Sequence, residues 1–351
     1  MRHLSFGRRQ CEAGESDLTS SADLTGMFKS HDIQYEYNAR KMIFQRGKMK
    51  LYHYAPIIKN PQATPTLIVF AMINRPEILD LFPERSFIRC LLDEGVDVYL
   101  LDWGYPDADD IQNDFGYYIT SPLRDGVRFI LETSKVKKIN LVGVCQGGVM
   151  SICYSLLFDD VKNLVLISTP IDFQTKENTI YHVIKNIDID VLVNTGENIP
   201  GVWLKHFFIS LRPFELVGKK YLHFTEQVEN TAYVDKFLRI EKWLHDAPDQ
   251  TKASLLEFIE RFYLGNQLVN GGLKMGGRQI GLHGLTLPIL NIIAQDDEII
   301  PPSASRDLKK YIGSKDYQQQ EFASGHIGIF VSDRVGKSLP EMIALWLQKR
   351  G

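Results

Sequence analysis

Residues Leu141–Gly148 read Leu-Val-Gly-Val-Cys-Gln-Gly-Gly, and this stretch constrains the chain more than any other. A mostly apolar run, Ile139 to Val144, has the length of a buried strand, and Gln146 to Phe158 has the composition of a helix. A strand that turns into a helix within one residue leaves the corner residue, Cys145, in a strained backbone conformation. The small neighbours Gly143, Gly147 and Gly148 let the backbone pack closely around it. Gly143-x-Cys145-x-Gly147 is the nucleophile-elbow spacing, with a thiol in place of the usual hydroxyl. The corner side chain is then pushed out at a helix N-terminus, where unpaired N–H groups and the helix dipole favour a thiolate. The competing reading is a buried cysteine in a glycine-rich turn, since free cysteine is among the most buried residue types.

The elements around the elbow alternate. Leu67–Met72, Val96–Leu101, Ile139–Val144, Leu164–Ser168 and Leu287–Ala294 are mostly apolar runs of strand length. Glu84–Glu94 and Asp125–Thr133 have helical periodicity between them. Lys48–Tyr54 is expected as an early edge strand, Gln319–Ala323 as a short late strand, and Leu339–Lys349 as a closing helix. Such alternation predicts a mainly parallel sheet with helices on both faces. From 171 to 285 the strand pattern stops. Large aromatics, among them Trp203, Phe208, Tyr221, Trp243, Phe258 and Phe262, occupy helical or irregular segments, and Gly271–Ile280 looks like a hairpin. An insertion of this length between two sheet strands is read as a cap over the active edge. The expected organisation is therefore a mobile N-terminal segment at 1–31, a core at 32–170 and 286–351, and a cap at 171–285.

Three positions form a constellation in chain order. After Cys145 comes the acidic trio Asp296, Asp297 and Glu298 beyond a strand, then His326 in Ser324-Gly325-His326 beyond the last strand. Nucleophile, acid and histidine in that order match an α/β-hydrolase triad, and all three loops would open at one sheet edge. Of nine histidines, His326 alone combines that chain position with a loop setting. Chemistry does not choose among the three acids; the register from the strand end favours Asp297, with Glu298 solvated. An oxyanion hole would use the backbone N–H of Gln146 and one from the loop near Ile73. A thiol exchanges with a thioester at little thermodynamic cost, so acyl transfer from coenzyme A to a hydroxyl suits Cys145, with His326 as base.

Bulk properties exclude little. Forty basic and forty-three acidic residues give a net charge of −3, no sign of a nucleic-acid partner. The four cysteines, Cys11, Cys90, Cys145 and Cys153, have no metal-type spacing, and no metal site is expected; they suit a reducing compartment. Ile139–Phe158 is uncharged over a span-like length, but its three glycines, Asn140 and Gln146 mark it as core, so no transmembrane segment is expected.

Taken together, Gly143-Val-Cys145-Gln-Gly-Gly148, Asp102-Trp-Gly-Tyr-Pro-Asp107, Asp297-x-Ile-Ile-Pro-Pro302 and Gly325-His-Ile-Gly328 resemble the poly(3-hydroxyalkanoate) synthases. Asn74-Arg75-Pro76, Asn198-Ile-Pro-Gly201 and Glu241-Lys-Trp-Leu-His-Asp-Ala-Pro-Asp-Gln250 fit the same family. Length and details such as Gln146 and Val331-Ser332 look most like the class III catalytic subunit, PhaC type. The resemblance implies an α/β-hydrolase fold and polymerisation of (R)-3-hydroxyacyl-coenzyme A, typically 3-hydroxybutyryl, with release of coenzyme A. It implies a triad of Cys145, Asp297 and His326 and oxyanion donors near Ile73 and Gln146. No cofactor is implied, coenzyme A being part of the substrate. It also implies dimerisation, a PhaE-type accessory subunit rather than the class IV small subunit, and residence in the cytoplasm at the surface of polyester granules. Glu298 departs from the family, where a histidine commonly follows the aspartate. Two rival expectations are a cysteine-type hydrolase of esters or lactones and an inactive granule-surface scaffold.

Overall fold

The computed structural model describes residues 38–59, 61–189, 196–211, 218, 220–332 and 335–351; the 1–31 segment and Cys11 lie outside them. In chain order the strands are β1 (Arg40–Arg46), β2 (Met49–Tyr54), β3 (Thr66–Val69), β4 (Val98–Asp102), β5 (Ile139–Val144), β6 (Val161–Ile167), the short β7 (Lys274–Met275) and β8 (Arg278–Gln279), β9 (Ile289–Ala294) and β10 (Tyr317–Phe322). Among the described residues they form an eight-stranded sheet in the order β1-β2-β4-β3-β5-β6-β9-β10, and β7 pairs with β8 as the expected hairpin. β1 and β2 run antiparallel at one edge; every pairing from β4 to β10 is parallel.

The central strands are mostly apolar because both sheet faces are covered. Leu67, Leu141, Leu164 and Leu166 point into one core, and Ile68, Val142, Val165 and Ile167 into the other, the two-residue period of a strand. The helices flanking this sheet include α1 (Phe87–Asp93), α2 (Arg124–Ser134) and α3 (Gln146–Leu157). Ten of the twelve α3 residues are buried, so its apolar character is that of a core helix. Among the described residues no helix is long and apolar enough to cross a membrane.

One expectation needs correction. Lys48–Tyr54 is not at the sheet edge; β1 covers it, and the register slips between Met42 and Phe44. That bulge breaks the alternation by which β1 would have been read as a strand. The described residues of 171–285 are mainly helical, including α4 (Gly201–Leu211), α5 (Thr231–His245) and α6 (Lys252–Phe258), and α7 (Ser338–Gln348) is the last described helix.

Candidate active site

β5 ends at Val144 and α3 begins at Gln146, so the whole change of direction falls on Cys145. Its φ of 53° and ψ of −121° are strained for a side-chain-bearing residue, at a cost of about 1–3 kcal/mol. Close packing holds it there. A Cβ on Gly147 would collide with the Val69 carbonyl, and one on Gly148 with the Thr169 side chain. The half-buried Cys145 thus sits at the N-terminal end of a twelve-residue helix.

Of the acidic trio, Asp297 alone is buried; Asp296 and Glu298 are exposed. Its Oδ1 accepts from the N–H groups of Ile299 (3.0 Å) and Ile300 (2.8 Å), which fixes the carboxylate plane. Its Oδ2 then meets Nδ1 of His326 at 2.7 Å. Burial lowers the proton affinity of His326, but the Asp297 carboxylate and then the Cys145 sulfur, with hydrogen bonding to each, raise it well above the usual histidine value. Tyr263, buried, has its phenol pushed up by burial and then by the charge of Cys145.

The loop after β3 completes the site. Phe70 O accepts from the Trp103 indole at 2.9 Å, and Arg75 O from the Trp243 indole at 2.7 Å. Between them, the Met72 N–H donates to Gln146 Oε1 at 3.0 Å. Arg75 is itself buried, with a fork-like pair of bonds to Asp102 at 2.5 and 2.8 Å. Cys145, His326 and Ile73 all border one cavity of about 470 Å³, roofed in part by Phe208, Tyr221 and Trp243. Glu241 at its wall is paired with Lys220 and accepts from the Tyr221 hydroxyl at 2.9 Å. Lys205, also on the wall, has its proton affinity lowered by burial.

Cys145, Asp297, His326, Gln146 and Ile73, the positions expected from sequence, are brought to one place by the fold. The side-chain bonds of Gln146 to the Met72 N–H and of Gln250 to the Met72 carbonyl, at 2.7 Å for the latter, were not foreseen. The motif ending in Gln250 was visible, but side-chain-to-backbone bonds have no spacing rule that reveals them.

A cysteine at a strand–helix elbow beside a histidine–aspartate pair, on a mainly parallel sheet, defines the α/β-hydrolase class. The alpha/beta hydrolase fold family model matches residues 75–333, and the model of the poly-beta-hydroxybutyrate polymerase (PhaC) N-terminus matches residues 33–91. Among solved structures, a monoacylglycerol lipase from Paleococcus ferrophilus aligns with TM-score 0.51 at 18% identity over 83% of this chain and 96% of its own. The enol-lactonase from Burkholderia xenovorans aligns with TM-score 0.51 at 14% identity over 90% of this chain and 99% of its own. These two likenesses concern the fold. The poly(3-hydroxyalkanoate) polymerase subunit PhaC of Allochromatium vinosum is 40% identical over 99% of this chain and 96% of its own length. That of Thiocystis violacea is 41% identical over 93% of each. The chain belongs to the PhaC family of poly(3-hydroxyalkanoate) polymerase subunits.

Proposed function

We propose that the chain polymerises (R)-3-hydroxyacyl-coenzyme A, with 3-hydroxybutyryl as the expected unit, into polyester with release of coenzyme A. The family supports the activity, and the observation that carries the chemistry is the 2.7 Å His326–Asp297 bond beside Cys145 on one cavity. His326 takes the thiol proton, and the Cys145 sulfur attacks the thioester carbonyl. The oxyanion that forms is held by the backbone N–H groups of Gln146 and Ile73. When the C–S bond to coenzyme A breaks, the leaving thiolate recovers the proton from His326. The acyl group is now a thioester on Cys145, still reactive toward an alcohol. A 3-hydroxyl then attacks the chain's thioester carbonyl, His326 accepts its proton, an ester bond forms and the Cys145 sulfur departs. Asp297 orients the imidazole throughout and stabilises its charge.

Chain growth rather than hydrolysis requires water to be kept from the acyl-cysteine, a role assigned to the 171–285 cap. A PhaE-type subunit, a second copy of this chain and the polyester granule surface are the proposed partners and setting. No cofactor is needed, since coenzyme A enters and leaves with the substrate.

The test is incubation with 3-hydroxybutyryl-coenzyme A, with and without a PhaE-type subunit, following thiol release and polymer. Cys145→Ala abolishes both, and His326→Gln lowers both by on the order of 10³-fold or more. Cys145→Ser retains little of either, since a serine hydroxyl is far less acidic than the thiol. Asp297→Asn slows elongation more than the first acylation. Free 3-hydroxybutyrate as the main product of the parent assigns a hydrolase instead, and absence of iodoacetamide labelling at Cys145 assigns an inactive scaffold.

A further inference from the structure

Two motifs of the 171–285 stretch have no part in the acyl-transfer scheme, Asn198-Ile-Pro-Gly201 and the Asp246–Gln250 end of the second. The fold joins them. Ile199 and Gln250 exchange both backbone hydrogen bonds at 2.9 Å. The Gly201 N–H donates to Asp249 Oδ1 at 2.9 Å, and a Cβ on Gly201 would collide with the Ala247 carbonyl. This junction fixes the backbone that carries Gln250. Gln250 is 1% exposed, and its Nε2 donates to the Met72 carbonyl at 2.7 Å.

The Met72 carbonyl and the Ile73 N–H belong to one planar trans peptide, so they point in opposite directions. Whatever holds the carbonyl aims the N–H. The preceding N–H, that of Met72, is held by Gln146 from the elbow helix, which stops the neighbouring peptide from turning in compensation. We propose that Gln250 is a positioning residue of the oxyanion hole: by holding the Met72 carbonyl it sets the Met72–Ile73 peptide plane and aims the Ile73 N–H at the thioester oxygen. The inserted segment therefore holds part of the catalytic apparatus in shape as well as covering it. With Gln250 lost, the peptide is free to rotate and present its carbonyl dipole to the developing anion, opposite to what the transition state needs. The inference rests on the acyl-transfer reading with Ile73 as donor.

Gln250→Glu preserves shape but sets a carboxylate against a carbonyl oxygen, and Gln250→Met preserves length and donates nothing. Two rates separate positioning from general damage in the full chain. Release of coenzyme A from 3-hydroxybutyryl-coenzyme A passes through an oxyanion. Alkylation of Cys145 by iodoacetamide does not: sulfur displaces iodide at a saturated carbon, the S–C bond forming as the C–I bond breaks. In both variants coenzyme A release should fall on the order of 10²-fold while alkylation changes by less than about threefold. Release within about threefold of the parent in both variants overturns the proposal, as does a parallel fall in release and alkylation, which would mean collapse of the site. A parent that releases no coenzyme A overturns the acyl-transfer reading and this proposal with it; active variants of an active parent overturn this proposal alone.

Discussion

The proton affinity of His326 is raised despite the cost of burial by Asp297, bonded to Nδ1, and by Cys145, and Asp297 is the stronger of the two influences. Replacing each in turn should expose that order. Asp297→Asn is expected to lower the His326 titration midpoint more than Cys145→Ala does, and NMR titration of the ring protons measures both. Stability follows with a definite sign. The folded value is raised above the ordinary 6.5, so the charged ring contributes fully below about pH 6.5 and loses its contribution as pH rises through the folded value. The stability gap between parent and Asp297→Asn, read from urea unfolding, should narrow as pH increases across that window; a gap that widens would contradict the ion-pair account. The reason Asp297 could be picked from three adjacent acids lies in the strand. β9 ends at Ala294, and Asp297 is the position from which the Ile299 and Ile300 N–H groups bind one carboxylate oxygen and leave the other for His326. Gln250 offered no such handle, because its partner is a carbonyl 178 positions away in the chain.

At the scale of elements, the elbow is held by two surfaces that touch where glycines allow it. The space that a Cβ on Gly148 would occupy is already filled by the hydroxyl and methyl of Thr169, just beyond β6. Gly148→Ala should therefore destabilise the fold by about 1–3 kcal/mol through overpacking. Adding Thr169→Ala should recover part of that loss, a non-additivity that a double-mutant cycle in urea detects. Strict additivity would show that the two surfaces are not in contact. The same closeness explains which elements the sequence revealed. Strands buried on both faces, β5 and β9 above all, are apolar at all but one buried asparagine each, Asn140 and Asn291, and announce themselves. β1 carries a bulge and an exposed face, so neither alternation nor a continuous apolar run marks it. Strand ends were read less well: Phe70–Met72 continues the apolar run of β3 but leaves the sheet to form the loop beside Cys145, because its polar backbone groups are taken by Trp103, Gln146 and Gln250 rather than by a neighbouring strand.

Over the whole molecule, the aromatics between 171 and 285 divide in a way that their spacing does not announce. Phe258, Phe262 and Tyr263 join Phe115 and Phe173 in the core on one side of the sheet, whereas Tyr221 and Trp243 border the cavity above Cys145 and Phe208 touches both. Both groups come from amphipathic or apolar helical segments, and only tertiary packing separates them. Trp243 is the member of the second group most firmly tied to the core. It is 4% exposed, and its indole N–H donates to the Arg75 carbonyl at 2.7 Å, next to the loop that carries Ile73. In the proposed scheme an acyl-cysteine beneath it partitions between a 3-hydroxyl and water, and the competition depends on how much water shares the cavity. Trp243→Ala removes a bicyclic ring from a cavity of about 470 Å³ and opens room for water beside the thioester. The ratio of free 3-hydroxybutyrate to polymer should then rise several-fold, while Trp243→Phe, which keeps most of the bulk but gives up the hydrogen bond, should shift it less. Product analysis by chromatography after equal substrate consumption measures that ratio independently of any change in rate. A ratio unchanged in Trp243→Ala would mean that the choice between polymer and free acid is made by the bound polyester chain or a partner subunit, and not by the aromatic roof.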